Sequence, residues 1–225
     1  MNVAFIPVRG GSKSIPLKNI KPICGKPLVY WTVKAAVECK MIDHVYVSTD
    51  SPEIRETVDS FGFSKVTVIG RSETVSTDTA STESVMLEFA NQYSFDNIVL
   101  IQATSPLLQS ADLDRGFEIF SRDNVDSVLS VVRQKRFNWS VQEDGLTQPL
   151  NYDVFHRPRR QDFTGYYVEN GAFYITSREA LLQTRNRISG NIAPVEMAAE
   201  TYLEIDEPSD WLIIESVMKH KLQQF

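Results

Sequence analysis

Cysteine is nearly missing from this 225-residue chain: Cys24 and Cys39 are the only two. Thiols so placed give neither a disulfide framework nor zinc-site spacing, and they read as reduced groups of a cytosol-like compartment. Histidine is as scarce. His44, His156 and His220 are widely scattered, so a histidine metal site is not expected, because such sites need clustered ligands. No apolar run approaches a membrane span, and Met1-Asn2-Val3 does not open a secretion signal. The expected location is the cytoplasm, with no membrane partner. Surplus positive charge is absent too: the formal net charge is -6, which argues against general nucleic-acid binding. Neither internal repeats nor low-complexity tracts are visible.

Against that acidic background one basic cluster stands out. The apolar run Val3-Ala4-Phe5-Ile6-Pro7-Val8 leads into Arg9-Gly10-Gly11-Ser12-Lys13, then Lys18-Asn19. Glycines let backbone N–H groups approach an anion, and the cations neutralise it. The segment fits neither GxxxxGK[ST] nor GxGxxG. Its residues are read as a loop for a polyphosphate, hence a nucleotide; the plain alternative is a solvated basic turn.

Along the chain, short apolar runs alternate with helical patterns. Strands are predicted at Val3–Pro7, His44–Ser48, Lys65–Ile69, Ile98–Gln102, Ser127–Val132, Gly171–Ile175 and Thr201–Ile205. Helices are predicted at Leu28–Glu38, Ser51–Phe61, Thr82–Gln92, Ala111–Ser121, Ser177–Gln183 and Pro208–Lys219, with Asp112, Ser177 and Asp206 as helix-start residues. This order predicts an α/β fold with a mostly parallel sheet and helices on both faces. Ligands of such folds bind beyond the carboxyl ends of the strands. The Arg9 loop, Ser48-Thr49-Asp50 and Gln102-Ala103-Thr104-Ser105-Pro106 would then open onto one edge. Residues 133–169 break the rhythm: polar, aromatic and basic, they read as an insertion extending from the core.

Five segments, in order, resemble the N-acylneuraminate cytidylyltransferase family. They are Arg9 through Asn19, similar to the family's RxxSKxxxxKN; Arg71 with Ser76-Thr77-Asp78-Thr79-Ala80-Ser81; Gln102 through Leu107; Arg157-Pro158-Arg159-Arg160-Gln161-Asp162 leading to Glu169-Asn170-Gly171-Ala172-Phe173-Tyr174; and Glu204-Ile205-Asp206. The stretch from Val131 to Ser140 looks closest to the animal-type branch, which includes enzymes that accept KDN. The resemblance implies a Rossmann-like, three-layer nucleotidyltransferase fold with residues 1–225 as one domain and 133–169 as a dimerisation and sugar-site insertion. It also implies a reaction in which CTP and a nonulosonic acid give the CMP-sugar and pyrophosphate.

Site roles follow from the same resemblance. Arg9, Lys13 and Lys18 are expected to hold and neutralise the triphosphate, with Gly11 in the nucleotide-binding loop and Ser12 and Asn19 bonding to phosphate or orienting that loop. Arg71, Ala80 and Ser81 would border the nucleotide. Gln102, Thr104 and Ser105 would face the sugar. Arg160 would grip its carboxylate, since a guanidinium pairs with it bidentately. Asn170 and Tyr174 would meet sugar hydroxyls, Tyr174 having a core role as its alternative, and Trp139 would cover the sugar or line a subunit interface. Asp206, helped by Glu204, would carry Mg²⁺. The family commonly shows Asp-Ile-Asp here. Glu204 and Asp206, two apart on an expected strand, would share a face. Their plain reading is a solvated strand end, and that of Arg157–Arg160 a solvated charge run or an address signal. Partners would be CTP, the sugar and a second subunit, as a homodimer or dimer of dimers. Rival readings are a cytidylyltransferase for Kdo or legionaminate, a sugar-1-phosphate nucleotidyltransferase, and a catalytically silent nucleotide-binding protein.

Overall fold

The computed structural model describes residues 1–11, 14–77 and 80–223. Its centre is a seven-stranded sheet. In chain order the strands are β1 (Asn2–Pro7), β4 (His44–Ser48), β5 (Val66–Ile69), β6 (Asn97–Ile101), β7 (Ser127–Gln134), β10 (Tyr166–Ser177) and β11 (Ile192–Glu196). Two short pairs account for the other numbers: β2 (Pro22–Ile23) with β3 (Lys26–Pro27), and β8 (Trp139–Val141) with β9 (Thr147–Pro149). The spatial order is β11-β7-β10-β6-β1-β4-β5. Only β10 runs antiparallel to its neighbours β6 and β7; the other pairings are parallel.

Alternation along the strands divides the core. Ala4, Ile6, Val99, Ile101, Phe173 and Ile175 point to the face covered by α1 (Leu28–Glu38), α2 (Pro52–Asp59) and α4 (Ser110–Phe120). Val3, Phe5, Ile98, Leu100 and Tyr174 point to the face covered by α3 (Thr82–Gln92) and α5 (Arg178–Thr184). Strands buried on both faces read as unbroken apolar runs, which is why Ile98–Ile101 is apolar throughout. The last helix, α6 (Pro208–Leu222), packs Trp211, Ile214 and Met218 onto Ile15, Ile23, Leu28 and Leu107.

Three expectations are corrected. Thr201–Ile205 is not a strand: Ala199–Tyr202 is a 3-10 turn followed by irregular chain. The strand of that region is β11, which pairs only with β7. It holds Pro194, which an edge strand tolerates and which hides the strand from pattern reading. Asp206 does not start α6. Glu207 is the cap, in a reciprocal capping box with Asp210. Nor does Asp112 start α4, where Gln109 is the cap and Asp112 closes the box. Ser177 does cap α5, accepting from the Ala180 N–H at 3.0 Å.

Residues 135–165 leave the sheet between β7 and β10 as an arm. Its ends are tied by ladder pairs Gln134–Tyr166 and Arg133–Tyr167, so the first and last residues of the expected insertion belong to the sheet.

Candidate active site

The chain leaves β1 for α1 and β4 on one side, while β6 lies on the other. A sheet whose strand order diverges in this way opens a crevice beyond the carboxyl ends of its strands. An open cleft of about 340 Å³ lies there. Pro7 and Arg9 end β1; Gln102, Ala103 and Thr104 follow β6; Ala80, Ser81 and Thr82 form the start of α3. Lys18, Asn19 and Arg71 complete the polar wall, with Val75, Thr77 and Val85 beside them.

Lys18, Asn19 and Arg71 are held in place. Lys18 is 13% exposed, and its Nζ donates to the Ile205 carbonyl at 2.7 Å and to Asp206 Oδ1 at 3.1 Å. The ammonium is therefore fixed at the rim instead of sweeping through solvent. Asn19 Nδ2 donates to the Arg9 carbonyl at 3.1 Å, and Asp50 Oδ1 accepts from the Gly10 N–H at 2.9 Å. Together they hold both polar groups of the peptide unit that leads from Arg9 into the glycine turn. Arg71 donates to the Ser48 carbonyl, and its Nε is buried with no partner among the described residues. Burial lowers the Arg71 pKa, while Asp50 and Glu88 oppose that shift. Ser81 caps α3 by accepting from the Ser84 N–H at 3.1 Å, so the free N–H groups and positive dipole end of that helix border the cleft.

Beside the cleft lies an acidic corner. Glu204 Oε2 accepts from Thr104 Oγ1 at 3.2 Å, and the Ile205 N–H donates to the Thr104 carbonyl at 2.9 Å. Burial first, and the charge of Asp206 second, raise the Glu204 pKa. The two carboxylates approach through irregular chain pinned to Thr104, not through strand geometry. Gly171, at φ +66°, makes room: a Cβ there would lie 2.3 Å from Glu204 Oε1.

Of the expected site residues, Arg9, Lys18, Asn19, Arg71, Ala80, Ser81, Gln102 and Thr104 line this cleft. Ser12, Lys13 and Asp78 lie outside the described residues. Ser105 is buried just behind, its hydroxyl unpartnered among the described residues. Asn170 and Tyr174 do not reach the open space. Asn170 is 1% exposed, and its amide donates to Thr201 Oγ1 at 3.0 Å. Tyr174 lies in the core of the α3 face, and its hydroxyl donates to Glu169 at 2.9 Å. Burial and Glu169 push its pKa well up, so the hydroxyl stays a donor. Trp139 and Arg160 sit on the arm and do not line the cleft. Arg157 lies over the rings of Phe137 and Tyr152, and Arg159 pairs with Asp162 at 2.7 Å.

The sequence patterns do not mark Val75, Thr82 and Val85 as cleft residues, and they place Asp50 only in the turn after β4 that faces the same edge. For Asp50 the signal was present: an acid just past the carboxyl end of β4, level with the glycine turn.

Comparison with known proteins bears on this arrangement. A family model described as cytidylyltransferase matches residues 3–223. The N-acylneuraminate cytidylyltransferase of Oncorhynchus mykiss is 42% identical over 216 residues, 94% of this chain and 49% of that protein. Its namesake in Streptococcus agalactiae is 33% identical over 218 residues, 93% of this chain and 51% of that protein. The chain thus spans about half the length of these curated relatives. The CMP-N,N'-diacetyllegionaminic acid synthase of Legionella pneumophila is 28% identical, with 96% of each chain covered. Among solved structures, a CMP:2-keto-3-deoxy-manno-octonic acid synthetase complexed with CTP superposes with a TM-score of 0.73 at 19% identity, covering 98% of this chain and 99% of the other. A 4-diphosphocytidyl-2C-methyl-D-erythritol synthase from Anaerococcus prevotii also gives 0.73, at 9% identity and 97% and 96% coverage. These two likenesses establish the nucleotidyltransferase fold.

Proposed function

We propose a reaction from one premise: the chain belongs to the cytidylyltransferase family. It transfers CMP from CTP to the anomeric hydroxyl of a nonulosonic acid, N-acetylneuraminate or KDN. The anomeric oxygen attacks the α-phosphorus, the bond from that phosphorus to the bridging oxygen breaks, and pyrophosphate leaves. The hydroxyl proton passes to solvent or to a base in the cleft. Such transfers depend on positioning and on charge stabilisation. The observation that carries the reading is Lys18, a cation fixed by Ile205 and Asp206 at the mouth of a cleft that also holds Arg9, Asn19 and Arg71. The relatives' names supply the sugar class.

Each cleft residue has a role in this reaction. Arg9, Lys18 and Arg71, together with Lys13, neutralise the triphosphate. The α3 start at Ala80 and Ser81 borders the nucleotide, and Gln102 and Thr104 face the sugar. Asp206 and Glu204 fit Mg²⁺: they are hard oxygen donors, and two carboxylates leave coordination positions for water and phosphate. Burial first, and Asp206 second, raise the Glu204 pKa, and a bound cation would offset both. Bound there, Mg²⁺ would neutralise charge on the phosphate oxygens.

The arm supplies the remaining sugar contacts across a homodimer. Trp139 and Arg160 do not line their own subunit's cleft, and the arm exposes Phe155, Leu146 and Leu150. A partner's cleft would receive Arg160 and cover those apolar side chains. The cytoplasm is the compartment proposed; among the described residues no helix is long and apolar enough to cross a membrane.

The test is pyrophosphate release with CTP and Mg²⁺ against N-acetylneuraminate, KDN, Kdo and legionaminate. Turnover with a nine-carbon N-acylneuraminate or KDN is expected. Turnover with Kdo or legionaminate alone would replace the sugar. Binding of CTP without turnover of any sugar would leave a silent nucleotide-binding protein.

A further inference from the structure

Resting on the nucleotide reading above, we infer that Glu88, on α3 outside the cleft, is a positioning residue for nucleotide recognition, acting through Ser72 on the segment 71–77. Glu88 Oε1 accepts from the Ser72 N–H at 2.9 Å, and Oε2 accepts from the Ser72 hydroxyl at 2.7 Å. Ser72 in turn organises the next turn of chain. Its carbonyl accepts from the Val75 N–H at 3.2 Å and from the Ser76 hydroxyl at 2.8 Å, and its own hydroxyl lies 2.8 Å from Thr74 Oγ1. One carboxylate thereby fixes a 3-10 turn (Glu73–Val75) that, with Arg71 and Thr77 on either side, forms a wall of the cleft.

The charge of Glu88 has a second effect. Arg71 is largely buried, and Glu88 and Asp50 are the acids that favour its charged form against burial. Glu88 thus holds the turn and places a counter-charge near the guanidinium beside it. It lies more than one helical turn past Ser81 and Thr82, so the rigid α3 sets the distance between the helix-start rim and the Arg71 rim. A loop wall tied by two charge-assisted bonds to a helix that forms the facing rim is pre-organised for its ligand.

The measurement is CTP affinity by calorimetry, with steady-state constants for CTP and sugar, in wild type, Glu88→Ala, Glu88→Gln and Ser72→Ala. Loss of both bonds in Glu88→Ala should weaken CTP about tenfold, with the sugar KM and the melting temperature held. Glu88→Gln keeps an acceptor oxygen and should recover affinity to within about threefold of wild type. Amide exchange at residues 72–77 of the nucleotide-free protein should rise in Glu88→Ala and not in Glu88→Gln. Unchanged CTP affinity in Glu88→Ala overturns the inference. So does equal weakening of CTP and sugar together with a lower melting temperature and no rescue by glutamine. Should Glu88→Ala fail to fold, Ser72→Ala decides: about threefold weaker CTP binding supports the role, and unchanged binding overturns it. A wild-type protein that binds no CTP overturns the nucleotide reading itself, and this inference with it.

Discussion

Besides a group around Tyr30 with Trp31, Phe61 and Phe63, aromatic rings gather on the α3 face of the sheet and on the arm. On the sheet, Phe89 stacks with Phe5, Tyr93 and Phe95 at centroid distances of 4.8, 4.8 and 5.2 Å. On the arm, Phe137 meets Tyr152 at 4.2 Å and Phe163 at 5.0 Å, and Tyr152 meets Trp139 at 5.8 Å. The rings stack on the sheet and meet tilted or edge-on on the arm at similar distances; the cover is what differs. Helix and sheet close over the sheet group, whereas the arm leaves Trp139 half exposed and Phe155 89% exposed. Ring contacts are short-ranged and form in either setting, but only the sheet face is dry. The core is closed within one chain, and the arm presents the exposed apolar side chains that the proposed dimer would cover.

The largest expected effect breaks or keeps that contrast directly. Lys18→Ala should lower turnover about a thousandfold by removing a fixed charge at the phosphates. Arg160→Ala should also be nearly inactive. Mixed and re-associated, the two inactive proteins should recover up to about a quarter of wild-type activity, because half of random dimers carry one intact site assembled from both chains. No recovery would mean that Arg160 serves its own subunit, and the arm would lose its proposed role.

Stability should show the same division on a smaller scale. Phe173, fully buried between β10 and α4, should cost about 3–5 kcal/mol when changed to Ala. Phe155→Ala should change monomer unfolding by less than about 0.5 kcal/mol while weakening self-association, read by denaturant melts and sedimentation. Gly171→Ala should cost about 1–2 kcal/mol for its left-handed backbone, and should shift activity more than stability because Glu204 must move.

The smallest effect is in pH. Burial, with help from Asp114, pushes the Cys39 thiol up to about 12 from 9.0. The folded state thus holds its proton more tightly than the unfolded state. Its contribution to stability is complete below pH 9 and is lost as pH rises toward 12. Near pH 8, iodoacetamide should modify half-exposed Cys24 while native Cys39 stays unmodified. Rapid labelling of Cys39 would mean that α1 opens locally.

Legibility in the sequence followed the same line between core and arm. Helices α1 and α3 and strand β4 have the bounds that their apolar patterns predict, because each pattern reports burial against a neighbouring layer. Of the eight expected residues that line the cleft, Arg9, Lys18 and Asn19 belong to the basic cluster after β1 and Gln102 and Thr104 to the turn after β6, whereas Arg71, Ala80 and Ser81 were carried by the family resemblance. The features that stayed hidden depend on contacts through space. Strand β11 is masked by Pro194, and the carbonyl of Ile205 that fixes Lys18 has no side-chain signature. Asn170 looked polar and available in sequence, yet a bulge in β10 turns it into the interior, where Thr201 receives it. The β8–β9 pair on the arm was also missed, since three-residue strands carry too little pattern to be seen.

Gly171 and Glu204 divide one small volume between them: where residue 171 would carry a side chain, the carboxylate of residue 204 stands instead. Changes at the two positions are therefore coupled through that volume. Any side chain at 171 must displace the acid at 204, and a shorter acid at 204 vacates the space that the bare backbone left for it. The extra methylene of Glu204, against the aspartate common in the family it resembles, is matched to an opening already built into β10. A chain that changes one position should be found to have changed the other.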